Sequence, residues 1–292
     1  MSDKEFKTID EQLNILISRG LKIENSERAK NFLLHNNYYR ISGYSLTLRK
    51  HDIFFKNVSF QNIIDIYNFD HELRHILLKY IEIIEVNFKS VYAYIFTQTY
   101  GADGYLNPDF FTSDTKHSEI IQKAEKQKQL RLPHEAYLKH FIDDLKQTVP
   151  FWAYVDLLTI SDISFLYSIS EMDIQKSVAS EFGLNMKTGR EILGKFMHSM
   201  TIIRNLCAHG SRLFNRLFEQ KPSLNKKELS LLIKDNGNFD NSHLYGFILI
   251  MRRLLCDDDF SELKKDITNL TIKYPFVSMK YYGFRNDWQE VL

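Results

Sequence analysis

Ser59-Phe-Gln-Asn-Ile-Ile-Asp-Ile-Tyr-Asn-Phe-Asp-His-Glu-Leu-Arg-His75 opens a run that continues to Thr99 without a proline or a glycine. Along it Ile63, Ile66, Tyr67, Phe69, Leu73, Leu77, Ile81, Ile84, Phe88, Tyr92 and Ile95 place apolar side chains on nearly every helical face. A helix that is hydrophobic all round is a central, buried one. The spacing therefore predicts one long helix with the rest of the chain packed around it. Its charges are informative, because a buried carboxylate needs a partner or loses its charge. Asp70 and Arg74 lie one turn apart and can pair, as can Glu85 and Lys89. Glu82 has no cation at that spacing and looks to another helix.

The flanking sequence agrees with an all-α, multi-helix bundle. Residues 5–35 carry Ile9, Leu13, Ile15, Leu16 and Leu21 at helical spacing, and Ser26 reads as the cap of a helix through Leu34. Asn37-Tyr-Tyr-Arg-Ile-Ser-Gly-Tyr44 reads as an aromatic-rich turn around one cation. Its tyrosines either pack inward or, with Arg40, help to face a ligand. A short hairpin fits residues 45–58. After a loop at 101–113, a polar helical segment (114–146) is broken by Pro133, and Pro150-Phe-Trp152 opens an apolar helix through Leu158. Ser161-Asp162 caps the next helix, and another follows with a turn at Gly183. Residues 221–241 are polar and loop-like around a short helix, before helices near 243–255 and 260–270. The aromatic end, Tyr281-Tyr-Gly-Phe-Arg-Asn-Asp-Trp288, docks on the body. With 44% hydrophobic and 14% aromatic residues a substantial core is expected, and only eleven Gly and five Pro favour long helices over turn-rich sheets. Repeats and low-complexity linkers are absent, so residues 1–292 read as a single domain.

The chemistry gathers at Thr201-Ile-Ile-Arg-Asn-Leu-Cys-Ala-His-Gly210, followed by Ser211-Arg-Leu-Phe-Asn-Arg216. Thr188-Gly-Arg-Glu191 fits a capping box. Ile192, Leu193, Phe196, Met197, Met200 and Ile203 then recur as one buried helical face, and Gly210 is the natural stop. Arg204 falls in the last turns and His209 at the end. Five residues turn two helical side chains about 140° apart. Either the helix breaks between Arg204 and His209, or each faces a different neighbour, and a site shared by two chains would use both. Arg212 and Arg216 add a basic pair one turn apart. A permanent cation, an imidazole and further guanidinium groups make a site for a phosphodiester. The bland reading of the same residues is a helix C-terminus stabilised by cations near its free carbonyls.

Other chemistries are weaker. His71-Glu-Leu-Arg-His75 matches the H-E-x-x-H zinc signature, in which two imidazoles hold the metal and the Glu activates water. Arg74 beside the second His opposes a metal's charge, and no third ligand follows at short spacing. Cys207, between Arg204 and His209, is either a nucleophile or a small hydrophobe of the helix. The basic run Lys123, Lys126, Lys128 and Arg131 reads as a solvated helix face. Phosphate-binding glycine loops, dinucleotide fingerprints, nucleophile elbows and paired C-x-x-C motifs are absent from the sequence. A formal net charge of +1 confines any nucleic-acid surface to a local patch. Two cysteines cannot build a disulfide framework, and a reduced, cytoplasmic setting fits them. The charged first residues lack the apolar run of a signal peptide. The apolar stretch near Tyr245–Met251 is too short to span a bilayer, so no membrane partner is expected.

Taken in order, Tyr38-Tyr-Arg-Ile-Ser-Gly-Tyr44, Tyr67-Asn-Phe-Asp-His-Glu-Leu-Arg74, Ile81-Glu-Ile-Ile-Glu85, Pro150-Phe-Trp152, Arg204-Asn-Leu-Cys-Ala-His209 with Arg212 to Arg216, and Gly283-Phe-Arg-Asn-Asp-Trp288 span nearly the whole chain. The chain resembles the bacterial Abi-like family of abortive-infection proteins (the AbiD/AbiF type), which is similar to the wider all-helical HEPN group with its R-x4-6-H signature. The resemblance implies a HEPN-like core drawn from helices within 59–99 and 150–216, with accessory helices at both ends. It also implies metal-independent, cofactor-free RNA cleavage in phage defence, with two motifs meeting at a homodimer interface, and association with a small structured non-coding RNA. Arg204, Asn205 and His209 match the signature as catalytic candidates, and Arg212, Arg216 and Arg40 stand as candidates for RNA contact.

RNA carries its own nucleophile, the 2′-hydroxyl, so this chemistry needs no metal-bound water. An imidazole can exchange a proton with the 2′-hydroxyl or the leaving 5′-oxygen. Arg204 can stabilise the charge that builds on phosphorus, and Asn205 can orient either group. The competing expectation is an RNA- or protein-binding module with the same body and no cleavage; a zinc hydrolase through His71, Glu72 and His75 is a third.

Overall fold

The computed structural model describes residues 5–292 and is all-α apart from two small hairpins. Helices α1 (Ile9–Ser18) and α2 (Ser26–Asn36) pack on each other, each through one apolar face. The cap of α2 is Asn25, whose side chain accepts from the Arg28 N–H; Ser26, the expected cap, is the first helical residue. Asn37, at φ +60°, turns the chain, and its side chain caps α3 (Tyr38–Tyr44). The expected aromatic turn is thus a short helix. Strands β1 (Arg49–Lys50) and β2 (Ile53–Phe54) form the expected hairpin, with Arg49 opposite Phe54.

Helix α4 (Phe60–Tyr100) runs 41 residues, roughly 60 Å. Its first half lies in an aromatic layer of Phe32, Tyr44, Tyr67, Phe69, Phe214 and Tyr282. Its second half lies in another, of Phe88, Tyr92, Phe96, Phe151 and Tyr167. It is not buried on every side. His71, His75, Lys79, Glu82, Val86, Ser90 and Tyr94 recur every three or four residues as one exposed stripe. That stripe explains Glu82, which stands in solvent and needs no partner helix. Asp70–Arg74 and Glu85–Lys89 pair as expected, the second at 2.8 Å.

Next come α5 (Asp114–Arg131) and α6 (Ala136–Lys139), separated at Pro133, and then α7 (Phe151–Tyr154). Lys128 pairs with Glu125, Lys123 with Asp162, and Arg131 donates to the Asp156 carbonyl, as befits a helix face in water. Helix α8 (Ile160–Ile169) is capped by a Thr159–Asp162 box, two residues earlier than the Ser161 expectation. It leads to α9 (Met172–Glu181) and α10 (Gly189–Ala208). The Thr188–Glu191 box does not form. Asn185 instead accepts from the N–H groups of Lys187 and Thr188, and Glu191 pairs with Arg190.

Beyond α10 lie α11 (Lys226–Leu229) and a hairpin of β3 (Lys234–Asp235) and β4 (Asn238–Phe239), then α12 (Tyr245–Leu254), α13 (Asp257–Lys273) and α14 (Trp288–Val291). The hairpin was not anticipated. Tyr282, Phe284 and Trp288 are buried, so the aromatic end does dock on the body. Helices α3, α7, α9, α10 and α13 all pack against α4, and α10 also packs against α8, α9 and α12. This double support fixes where α10 ends. No helix of the described residues is long and apolar enough to cross a membrane.

Candidate functional site

Leu193, Phe196, Met197, Met200, Ile203 and Cys207 bury one face of α10, leaving Ile202, Asn205 and His209 toward its outer side. The helix closes in a Schellman motif. The Gly210 N–H donates to the Cys207 carbonyl at 3.0 Å and the Ser211 N–H to the Leu206 carbonyl at 2.8 Å. Gly210 takes the required left-handed conformation at φ +63°.

Asp70 then catches the chain. Fully buried on α4, it accepts from the Leu213 N–H at 3.1 Å and the Phe214 N–H at 2.8 Å. It also accepts from the Tyr44 hydroxyl at 2.8 Å, the Tyr282 hydroxyl at 3.0 Å, and the Arg74 guanidinium. Burial lifts the carboxyl above its ordinary value, while Arg74 and the hydrogen-bond donors pull against it. The Arg74 guanidinium and the Leu213 and Phe214 N–H groups can only donate, and their hydrogen bonds need the carboxylate's lone pairs; we read the charged form as the native one. Arg74 further reaches the Ser211 carbonyl at 3.4 Å, and Arg40 donates to the Gly210 carbonyl. The segment after His209 is thus tied to α3, α4 and the C-terminal tail at once.

Asn205 and His209 are exposed and border one groove of about 510 Å³ with Ile202, Leu206, Arg216 and Gln220. Arg204 is half-buried and borders a separate groove with Glu85, Lys89, Asp156 and Asp162. The helix does not break, so one chain does not bring Arg204 and His209 together. Asn205 lies between them, its carbonyl oxygen 3.4 Å from an Arg204 guanidinium nitrogen. Arg216 lies over the Phe218 ring in the His209 groove. Arg212 packs on Gly43 and donates to the Phe214 carbonyl at 2.6 Å, which engages it in the fold. Arg40 stacks over Tyr67 while bonding Gly210. Tyr44 is fully buried with its hydroxyl on Asp70, so the idea that it faces a ligand is corrected.

Two residues here escaped the sequence reading. Asp70 was paired with Arg74 but not recognised as the anchor of Leu213 and Phe214. His198, hydrogen-bonded through Nε2 to Gln220 at 2.5 Å, shares the outer face of α10 with Ile202, Asn205 and His209. The i, i+4, i+7, i+11 spacing of those four was the available signal.

Cys207 is buried beneath this site, and burial pushes its thiol up to about 12 against the pull of Arg74. Its nucleophilic reading therefore fails, since the thiolate is the reactive form. Iodoacetamide applied to the folded protein should alkylate exposed Cys256 roughly tenfold or more faster than Cys207. Rapid labelling of Cys207 by mass spectrometry would restore it as a nucleophile.

The zinc motif fares no better. Lys273 holds both Glu72 oxygens at 2.8 Å and Tyr274 donates to one at 2.6 Å, which engages the would-be base with α13. Arg74 runs into the core, and no group of three ligating side chains gathers among the described residues.

No curated protein and no solved structure matches the chain. The Abi-like protein family model matches residues 31–215, more than half of the chain, from α2 through the loop that Asp70 holds. That span includes Arg40, the Asp70–Arg74 pair and the whole of α10 with Arg204, Asn205 and His209, and on this match the chain belongs to the Abi-like protein family, the abortive-infection proteins of phage defence.

Proposed function

We propose that the protein is a metal-independent endoribonuclease of phage defence that acts as a dimer through Arg204, Asn205 and His209. The observation that carries this reading is the end of α10. Asn205 and His209 stand open to solvent on a helix terminus fixed by its Schellman cap and the Asp70 anchor, and the Asn205 side chain accepts from Arg204 at 3.4 Å. A site walled off from solvent, with each group satisfied internally, would have excluded it. The likeness of Arg204-Asn-Leu-Cys-Ala-His209 to the HEPN signature supports the same conclusion.

In the proposed reaction a scissile phosphate lies between two copies of this helix end. One copy's His209 takes the proton of the 2′-hydroxyl as that oxygen bonds to phosphorus. The second copy's protonated His209 gives a proton to the 5′-oxygen as its bond to phosphorus breaks. Arg204 stabilises the added negative charge on the non-bridging oxygens, Asn205 orients the guanidinium, and Arg216, with Arg212 behind it, holds flanking phosphates. The products are a 2′,3′-cyclic phosphate and a 5′-hydroxyl. The separate grooves of Arg204 and His209 support the dimer, because a phosphate touching both kinds of group would draw on a second helix end.

The test is RNA affinity and cleavage measured side by side, with and without chelator. Cleavage that leaves 2′,3′-cyclic phosphate ends and persists in excess EDTA is the expected result. Binding without products would make the protein an RNA-binding module, and loss of cleavage in chelator would point to a metal enzyme.

A further inference from the structure

The proposed chemistry leaves His71-Glu-Leu-Arg-His75 without a role, and its imidazoles without a ligand. They sit one turn apart on the exposed stripe of α4, ring centroids 4.6 Å apart and edge to face. Glu72 is engaged by Lys273 and Tyr274, Asp266 by Lys79 and Tyr80, and Asp70 by Arg74. The acids of this surface are thus already taken. Arg74 Nη2 lies 3.5 Å from His71 Nδ1. A guanidinium cannot accept, so Nδ1 is the acceptor and the ring hydrogen sits on Nε2. Partial burial, with His75, Arg74 and Arg40 nearby, lowers the His71 pKa and favours that neutral, donating form.

Arg40 completes the set from α3. It donates to the Gly210 carbonyl and stacks on Tyr67, its Nε is buried without a partner, and no carboxylate among the described residues lies within ion-pair distance. Its charge is felt at His71. One guanidinium and two imidazoles therefore border one surface, connected through the Gly210–Ser211 backbone that Arg40 and Arg74 hold and through the Arg74–His71 and His71–His75 contacts, and its carboxylates are engaged elsewhere. Gly210, the residue after His209, forms its edge. Tyr39, next in sequence to Arg40 and 83% exposed, offers a ring for a base to stack on.

We propose that Arg40, His71 and His75 form a second phosphate site, which takes the backbone phosphate of single-stranded RNA flanking the one at His209. The choice of RNA as ligand rests on the ribonuclease reading; the anion chemistry does not. RNA crossing Gly210 would meet His209 on one side and this site on the other. Hydrogen bonds to charged groups are the stronger kind, so losing both imidazoles weakens binding measurably.

The experiment uses the full chain carrying His209→Ala, so that RNA is not consumed. Anisotropy of a labelled oligoribonucleotide is compared with and without His71→Gln and His75→Gln, two exposed positions whose melting temperature serves as the folding control. The expected result is a loss of affinity of roughly tenfold. In a parallel titration with pyrophosphate, the His71 and His75 ring resonances should shift. An affinity unchanged within twofold overturns the proposal. Pyrophosphate shifts without any RNA effect also overturn it, in favour of a small-anion site. A protein that binds RNA here but whose wild type never cuts would refute the nuclease reading and leave this site standing.

Discussion

His209→Ala should lower the rate of RNA cleavage by about 10²- to 10⁴-fold, the contribution a positioned general acid or base makes, while the protein stays folded. The folding half of this expectation comes from the cap. The Schellman bonds are made by backbone groups, and the His209 N–H that donates to the Asn205 carbonyl at 3.0 Å survives in alanine. His209 is exposed, and surface substitutions of this kind stay within about 0.5 kcal/mol. Rate loss therefore separates from unfolding, which a buried position would not allow. The two-chain arrangement makes a further demand. If each cleft draws His209 from both copies, mixing His209→Ala chains into wild type lowers activity more steeply than dilution alone. Proportional loss would mean that each chain cuts by itself, and full cleavage by His209→Ala would remove the catalytic assignment altogether.

How much of this was legible in the sequence differs from element to element. The length of α4 followed from forty residues free of proline and glycine, because tertiary packing rarely ends such a helix early. Its solvent stripe did not, since Val86 and Tyr94 are apolar yet exposed and blur the period. Two caps were misplaced, by one and two residues: Asn25 and Thr159 compete locally with Ser26 and Ser161, and only side-chain geometry chooses among such neighbours. Thr188 does stand at the cap of α10, but Asn185 engages its N–H and hydroxyl, so the box with Glu191 does not form. The hairpin at 234–239 had a signal that went unused, Asn236-Gly237, both at positive φ as a tight two-residue turn requires. At the site, the helix end and the angular separation of Arg204 from His209 were readable, because 3.6-residue geometry fixes both. The convergence of Tyr44, Asp70, Leu213 and Tyr282 was not. Those positions are brought together by topology, and nothing local in the sequence marks it.

That convergence sets the second large effect. Asp70→Asn should lower the melting temperature by roughly 10 °C, since removing one partner of a buried ion pair costs about 3–5 kcal/mol and each kcal/mol moves a chain of this size by about 2–4 °C. An isolated buried pair could be rescued: replacing Asp70 and Arg74 together with apolar residues would recover most of the loss. Here rescue should fail. The double variant Asp70→Leu/Arg74→Met still strands the Leu213 and Phe214 N–H groups and the Tyr44 and Tyr282 hydroxyls, which all lose their acceptor in the core. Each such buried donor costs about 1–3 kcal/mol. The double variant should therefore be no more stable than Asp70→Asn, and amide exchange at Leu213 and Phe214 should rise well above that of the α10 core in both. Cleavage should drop as well, even at temperatures where the variants remain folded, because the same carboxylate holds the chain that leaves His209. A double variant restored to wild-type stability would show that Asp70 serves only Arg74, and the rigid seat claimed for His209 would then need another source.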